Sequence, residues 1–135
     1  MRRGIRRGVM SGIALLAACQ VLAQESLAAR VKRAEDAARA NAASPQGQKW
    51  RKDNAATASR LMIPVLNQCL PDPPGDIPTV FSVYVRLSVK GRALEVLTEL
   101  DATLGACMTA AARDVPFPEA PLEDYWIQVN MAAPL

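Results

Sequence analysis

Between Thr79 and Thr98 the chain reads TVFSVYVRLSVKGRALEVLT, with apolar residues on alternate positions. Phe81, Val83, Val85, Leu87 and Val89 take one set, and Ser82, Tyr84, Arg86 and Ser88 take the other. Side chains alternate faces along a strand, so this register predicts one buried face and one largely wet face. Lys90-Gly91 interrupts the pattern, and glycine can take the positive φ that tight hairpin turns use. Leu94, Val96 and Thr98 resume the alternation on a return strand, opposite Ala93, Glu95 and Glu99. The expectation is a β-hairpin.

The pattern on either side is helical. Residues 24 to about 43 are Ala-rich with mixed charge, and Leu27, Val31 and Ala34 form a thin apolar stripe. High helix propensity with so little apolar surface predicts a solvent-exposed helix acting as a spacer. Ser44-Pro45 then offers an N-cap followed by proline at the first helical position. Trp50, Ala58, Leu61, Val65 and Cys69 recur at helical steps, which predicts a helix from about Gln46 to Cys69 with Trp50 packed in the core. Pro64 removes a backbone donor and is expected to kink or break it near Met62 and Ile63. LPDPPGDIP, from Leu70 to Pro78, reads as a rigid loop.

After the hairpin, Asp101 is a good N-cap for a helix over about Ala102 to Arg113, with Leu104, Cys107, Met108 and Ala111 as its apolar stripe. Val115-Pro116-Phe117-Pro118 ends that helix, and the prolines up to Pro121 favour an extended path. Tyr125, Ile127, Val129 and Met131 alternate with Trp126, Gln128 and Asn130, giving a last strand. The fold class is α+β: a three-stranded antiparallel sheet packed by helices, in the order α-β-β-α-β.

The N-terminus changes the compartment. Arg2, Arg3, Arg6 and Arg7 precede an apolar run from Val9 to Ala23, as in a secretory signal peptide, with cleavage after Ala23. Leu16-Ala17-Ala18-Cys19 also resembles a lipobox, in which cleavage falls before Cys19 and that cysteine carries lipid. Both readings of the leader stay open; the paired arginines lack the flanking Ser or Phe of a twin-arginine signal. The division is 1–23 as leader, 24–47 as Ala-rich charged helix or linker, and 48–135 as the folded body.

Export leaves Cys69 and Cys107, which in an oxidising compartment most simply pair; two buried free thiols are the alternative. A bridge between them closes a loop of about 38 residues, worth roughly 4 kcal/mol on the disputed chain-entropy model.

The formal charge of +3 is a property of the leader: without its four arginines, 12 basic residues face 13 acidic ones. Bulk charge gives no case for a nucleic-acid partner. The chain has no histidine, which removes Ser-His and Cys-His nucleophile pairs and the commonest metal ligand. Glu95, Glu99 and Asp101 read as solvated carboxylates rather than an acid–base pair, and Glu119, Glu123 and Asp124 as solvation or steering. No Gly-rich phosphate loop is present. The expectation is a protein without enzyme activity, cofactor, metal or small-molecule ligand.

The hairpin turn Val89-Lys90-Gly91-Arg92, the helix from Asp101 with its inward Cys107, and Val115-Pro116-Phe117-Pro118-Glu119-Ala120-Pro121 before a last strand resemble the C-terminal domains of the envelope proteins TonB and TolA. The placement of Cys69 and Cys107 is similar to that of the TolA disulfide. The likeness covers about residues 48 to 131, and only the order of its motifs is specific. It implies a sheet with helices on one face, adding a partner's strand at its last-strand edge. Tyr125, Trp126, Gln128 and Asn130 would then be partner-binding. Trp126 carries two readings, an exposed hot spot or a ring lying under a helix. The chain lacks the long periplasm-spanning arm of those proteins, so a free or lipid-tethered periplasmic module bound to another envelope protein is the expectation. A structural lipoprotein held at the outer membrane through Cys19 is the alternative.

Overall fold

The computed structural model describes residues 25–71 and 77–132. The leader, Cys19 and most of the Pro-rich loop lie outside them. Six elements follow in the order α-α-β-β-α-β: α1 (Leu27–Ala43), α2 (Pro45–Cys69), β1 (Val80–Leu87), β2 (Ala93–Thr98), α3 (Ala102–Ala112) and β3 (Tyr125–Ala132). The strands form one antiparallel sheet in the order β2-β1-β3. β1 is therefore central, and the outer sides of β2 and β3 are the sheet's two edges.

Burial along β3 follows the alternation in the sequence, and so does burial along β1 apart from Tyr84. Phe81, Val83, Val85 and Leu87 face the same layer as Tyr125, Ile127, Val129 and Met131. Met62, Val65 and Leu66 of α2 and Leu104 and Met108 of α3 close over that face, with Met62, Leu87 and Met108 fully buried. Burying each such side chain is worth about 1.5–3 kcal/mol, which makes this layer the main source of stability.

β2 departs from the expected alternation. Arg86 pairs with Glu95 and Leu87 with Ala93, so Leu94 is skipped as a bulge and left 38% exposed. Val96 and Thr98 stay inside, Ala93 joins them opposite Leu87, and Leu97 faces the other side of the sheet. At the turn, Gly91 has φ +82°, and an added Cβ would lie 2.1 Å from the Phe117 carbonyl oxygen. The Pro-rich segment is pinned there by the Phe117 N–H donating to Gly91 and the Ala120 N–H donating to Val89.

The second face of the sheet is not wet, and α1 is not an exposed spacer. Val31, Ala34 and Ala38 of α1 are buried against Tyr84 and Leu97, with Leu27 and Trp126 at the margin. Their i, i+3, i+7 spacing makes one narrow stripe, enough for a helix lying flat on a sheet. Arg30 bonds Glu95 at 2.6 Å, Glu95 lies 3.7 Å from Arg86, and Arg86 bonds Asp124 at 2.7 Å, a line of charge from α1 across β2 and β1 to the residue before β3. The sheet thus has helices on both faces, a departure from the one-sided packing that the TonB and TolA likeness implies.

Of the kink or break expected at Pro64, the break does not occur. α2 runs unbroken through it, with the ring on the solvent side. Burial of Met62, Val65 and Leu66 around the proline outweighs the missing backbone donor. At the start of α2 the Ser44 side chain accepts from the Gly47 N–H at 2.9 Å, and Pro45 stands at the first turn. Cys69 at the end of α2 and Cys107 in α3 form a disulfide, with Cα atoms 5.8 Å apart.

Candidate functional site

The two edges of the sheet are finished differently. On β2, the Val96 N–H donates to Thr109 Oγ1 of α3 at 2.9 Å. The Thr109 hydroxyl has one proton to give, and it lies within reach of the Val96 carbonyl at 3.1 Å and the Gly105 carbonyl at 2.8 Å. α3 approaches this closely because Gly105 has no side chain: a Cβ there would lie 3.3 Å from the Val96 carbonyl oxygen. The middle of the β2 edge is occupied by the protein itself.

On β3, the Asn41 side-chain amide donates to the Trp126 carbonyl at 3.0 Å, arriving from the end of α1. That carbonyl therefore points away from β1. Backbone groups alternate sides along an antiparallel strand, so those of Gln128, Asn130 and Ala132 point the same way. The opposite edge gives the same parity: Val96 turns outward to Thr109, Val85 beside it turns to β3, and Ile127 is the residue that pairs with Val85. Among the described residues the outward N–H and C=O of Gln128 and Asn130 have no partner.

These groups lie in a groove of about 390 Å³. The helical hairpin straddles the β3 edge, α1 on one face and α2 on the other, joined beside Trp126 where Asn41 closes the groove. From there α1 crosses toward β2, where Arg30 meets Glu95, so the walls diverge along β3. Ala38 and Ala42 form the α1 wall, Ala55, Ala58 and Ser59 the α2 wall, and Arg39 and Arg51 the rim.

The residues expected to bind a partner divide in two. Gln128 and Asn130 are exposed and share a polar cluster with Ser82: Gln128 Nε2 donates to Ser82 Oγ at 3.1 Å, and Ser82 Oγ to Asn130 Oδ1 at 3.0 Å. Tyr125 is buried, its ring 5.7 Å from that of Trp50, and burial raises its phenol above the ordinary value. Trp126 is half-buried beneath α1, with the Arg86 guanidinium 5.9 Å from its ring, so the ring lies under a helix and is not an exposed hot spot. Trp50 packs in the core as expected, its indole N–H donating to the Glu119 carbonyl at 2.8 Å.

The chain matches no protein-family model, no curated protein and no solved structure.

Sequence reasoning missed the residues that finish the edges. Asn41 sits on a helix end, where nothing marks it as the cap of a strand 85 residues away. Thr109 reads as a neutral helix residue. Arg39 and Arg51 lie on different helices, and the sequence pattern does not reveal that both line one groove. The Val31, Ala34, Ala38 stripe was the one available signal that α1 packs.

Proposed function

We propose that this protein is an exported, non-enzymatic interaction module of the cell envelope that binds another envelope protein by strand addition to β3. The observation that carries this reading is the pair of outward backbone groups on Gln128 and Asn130, unpartnered among the described residues, in a groove wide enough to be lined by both helices. Open edges are templates for an added strand, and proteins that do not use an edge cover it, as α3 covers β2 here. The order of motifs shared with TonB and TolA supports the same site, and the leader and the Cys69–Cys107 disulfide support an oxidising compartment. Proline tolerates an edge position whose N–H faces outward, so Gln128→Pro keeps the ladder with β1 and removes a donor from the free side. The expected result is a folded protein without partner binding, measured by photo-crosslinking from the exposed position 130 in cells, with glutamine or proline at 128. Crosslinks that survive the proline would contradict strand addition.

The lipobox-like Leu16-Ala17-Ala18-Cys19 favours a second reading, a structural lipoprotein tethered at the outer membrane through Cys19 with no strand partner. Cys19→Ser then releases the protein to the soluble fraction; an unchanged membrane fraction argues against the tether.

A further inference from the structure

We infer that the segment added to β3 is an acidic, extended stretch of another protein with short or β-branched side chains, entering from the Ala132 end and stopping at Asn41. The inference rests on strand addition at β3 and names the chemistry of what is added. An added strand lies about 4.8 Å beyond β3, and its side chains alternate between the two faces. Here one set meets Ala38 and Ala42 and the other meets Ala55, Ala58 and Ser59. Walls of alanine and serine carry few hydrogen-bonding groups, so they suit short aliphatic or β-branched side chains, the residues that also favour extended backbone.

Charge selects the partner further. The groove is lined by two basic side chains, Arg39 and Arg51, and by no acidic one. Arg39 is held by Glu35 at 2.7 Å, while Arg51 has no ion pair among the described residues and lies close enough to Tyr125 to act on its phenol. Arg51 acts on Tyr125 at the start of β3 and Arg39 stands two residues before Asn41, which assigns both to the closed end. A strand antiparallel to β3 reaches that end with its C-terminal part, so its carboxylates belong there. Asn41 sets the register: its amide already occupies the Trp126 carbonyl, so pairing begins at Gln128.

The test uses the purified protein and amide-capped, fluorescent peptides of alternating valine and threonine, with aspartates, lysines or serines near the C-terminal end. Binding is read by anisotropy, and hydrogen exchange at the Gln128 and Asn130 amides reports where the peptide lies. The expected result is protection of both amides, with the aspartate peptide about tenfold tighter than the lysine peptide at low salt. That margin follows from two exposed ion pairs and shrinks as salt screens them. Arg39→Gln with Arg51→Gln should remove most of the margin, read as the ratio of aspartate-peptide to lysine-peptide affinity within the variant. Equal binding of all three peptides with both amides protected would overturn the acidic preference and leave strand addition standing. Aspartate-dependent binding without amide protection would overturn the groove as its site. No protection by any peptide would remove the strand-addition reading together with this inference. Sedimentation showing a dimer whose contact protects the same amides would replace the acidic partner with a second copy.

Discussion

The β2 and β3 edges belong to one sheet, flank one central strand and carry the same kinds of backbone group, yet only β2 is sealed. Thr109 and Gly105 bring α3 onto Val96, and the Cys69–Cys107 bridge ties that helix to α2. At β3 two helices come near the edge without covering it, and a single side chain, Asn41, takes one carbonyl. The difference shows how a small sheet avoids indiscriminate pairing: one side is closed by a helix, and the other is narrowed to a walled slot.

The largest effect should come from removing what holds α3. Replacing Cys69 and Cys107 with serine is expected to cost about 4 kcal/mol on the chain-entropy model, read by urea unfolding against the oxidised parent. With α3 loosened, hydrogen exchange at Val96 should rise toward that of β3, erasing the contrast between edges. Thr109→Val comes next. It keeps the shape but leaves the Val96 N–H and C=O unpaired beneath α3, a loss of about 1–3 kcal/mol. Asn41→Ala, the matching change at β3, should cost only about 0.5–1.5 kcal/mol because the freed carbonyl faces an open groove. It should also lengthen the available edge by one pair, so peptide binding holds or tightens; weaker binding would show that Asn41 positions the partner instead of limiting it.

The smallest effect concerns the tyrosines beside the two cores. Burial, with Glu35 and Glu99 adding to it, raises the Tyr84 phenol above its ordinary value of 10.0, and burial does the same for Tyr125. A phenol whose pKa is higher folded than unfolded contributes stability that is complete below pH 10 and declines as pH rises through the folded value. Tyr84→Phe should therefore flatten the alkaline decline measured by thermal melts above pH 10. An unchanged slope would place the titrating burden on Tyr125.

Much of the body was legible because its periodicities are clean. The hairpin, the last strand and α3 follow from period two and from helical spacing, and burial obeys the alternation throughout β3 and, apart from Tyr84, in β1. The failures share a cause: they depend on contacts between elements remote in sequence. Alanines at 34 and 38 look too small to bury a helix until a flat sheet face with Tyr84 and Leu97 lies beneath them. Pro64 looks like a break until packing on both sides outweighs one missing hydrogen bond. Leu94 looks inward until a bulge shifts the register. The last strand was legible as an edge candidate, while the choice between the two readings of Trp126, and the contact of Tyr125 with Trp50, needed the fold. Gln128 and Asn130 could be singled out as exposed polar positions, whereas the groove walls needed the fold.

The contrast between edges is tested most directly by native-state hydrogen exchange at three outward-facing amides in the free protein. Val96 N–H should be among the slow amides, held by Thr109, while Gln128 and Asn130 should exchange orders of magnitude faster, as unpaired edge groups do. Slow exchange at Gln128 and Asn130 in the free, monomeric protein would mean that the β3 edge is already closed, and strand addition there would have to be abandoned.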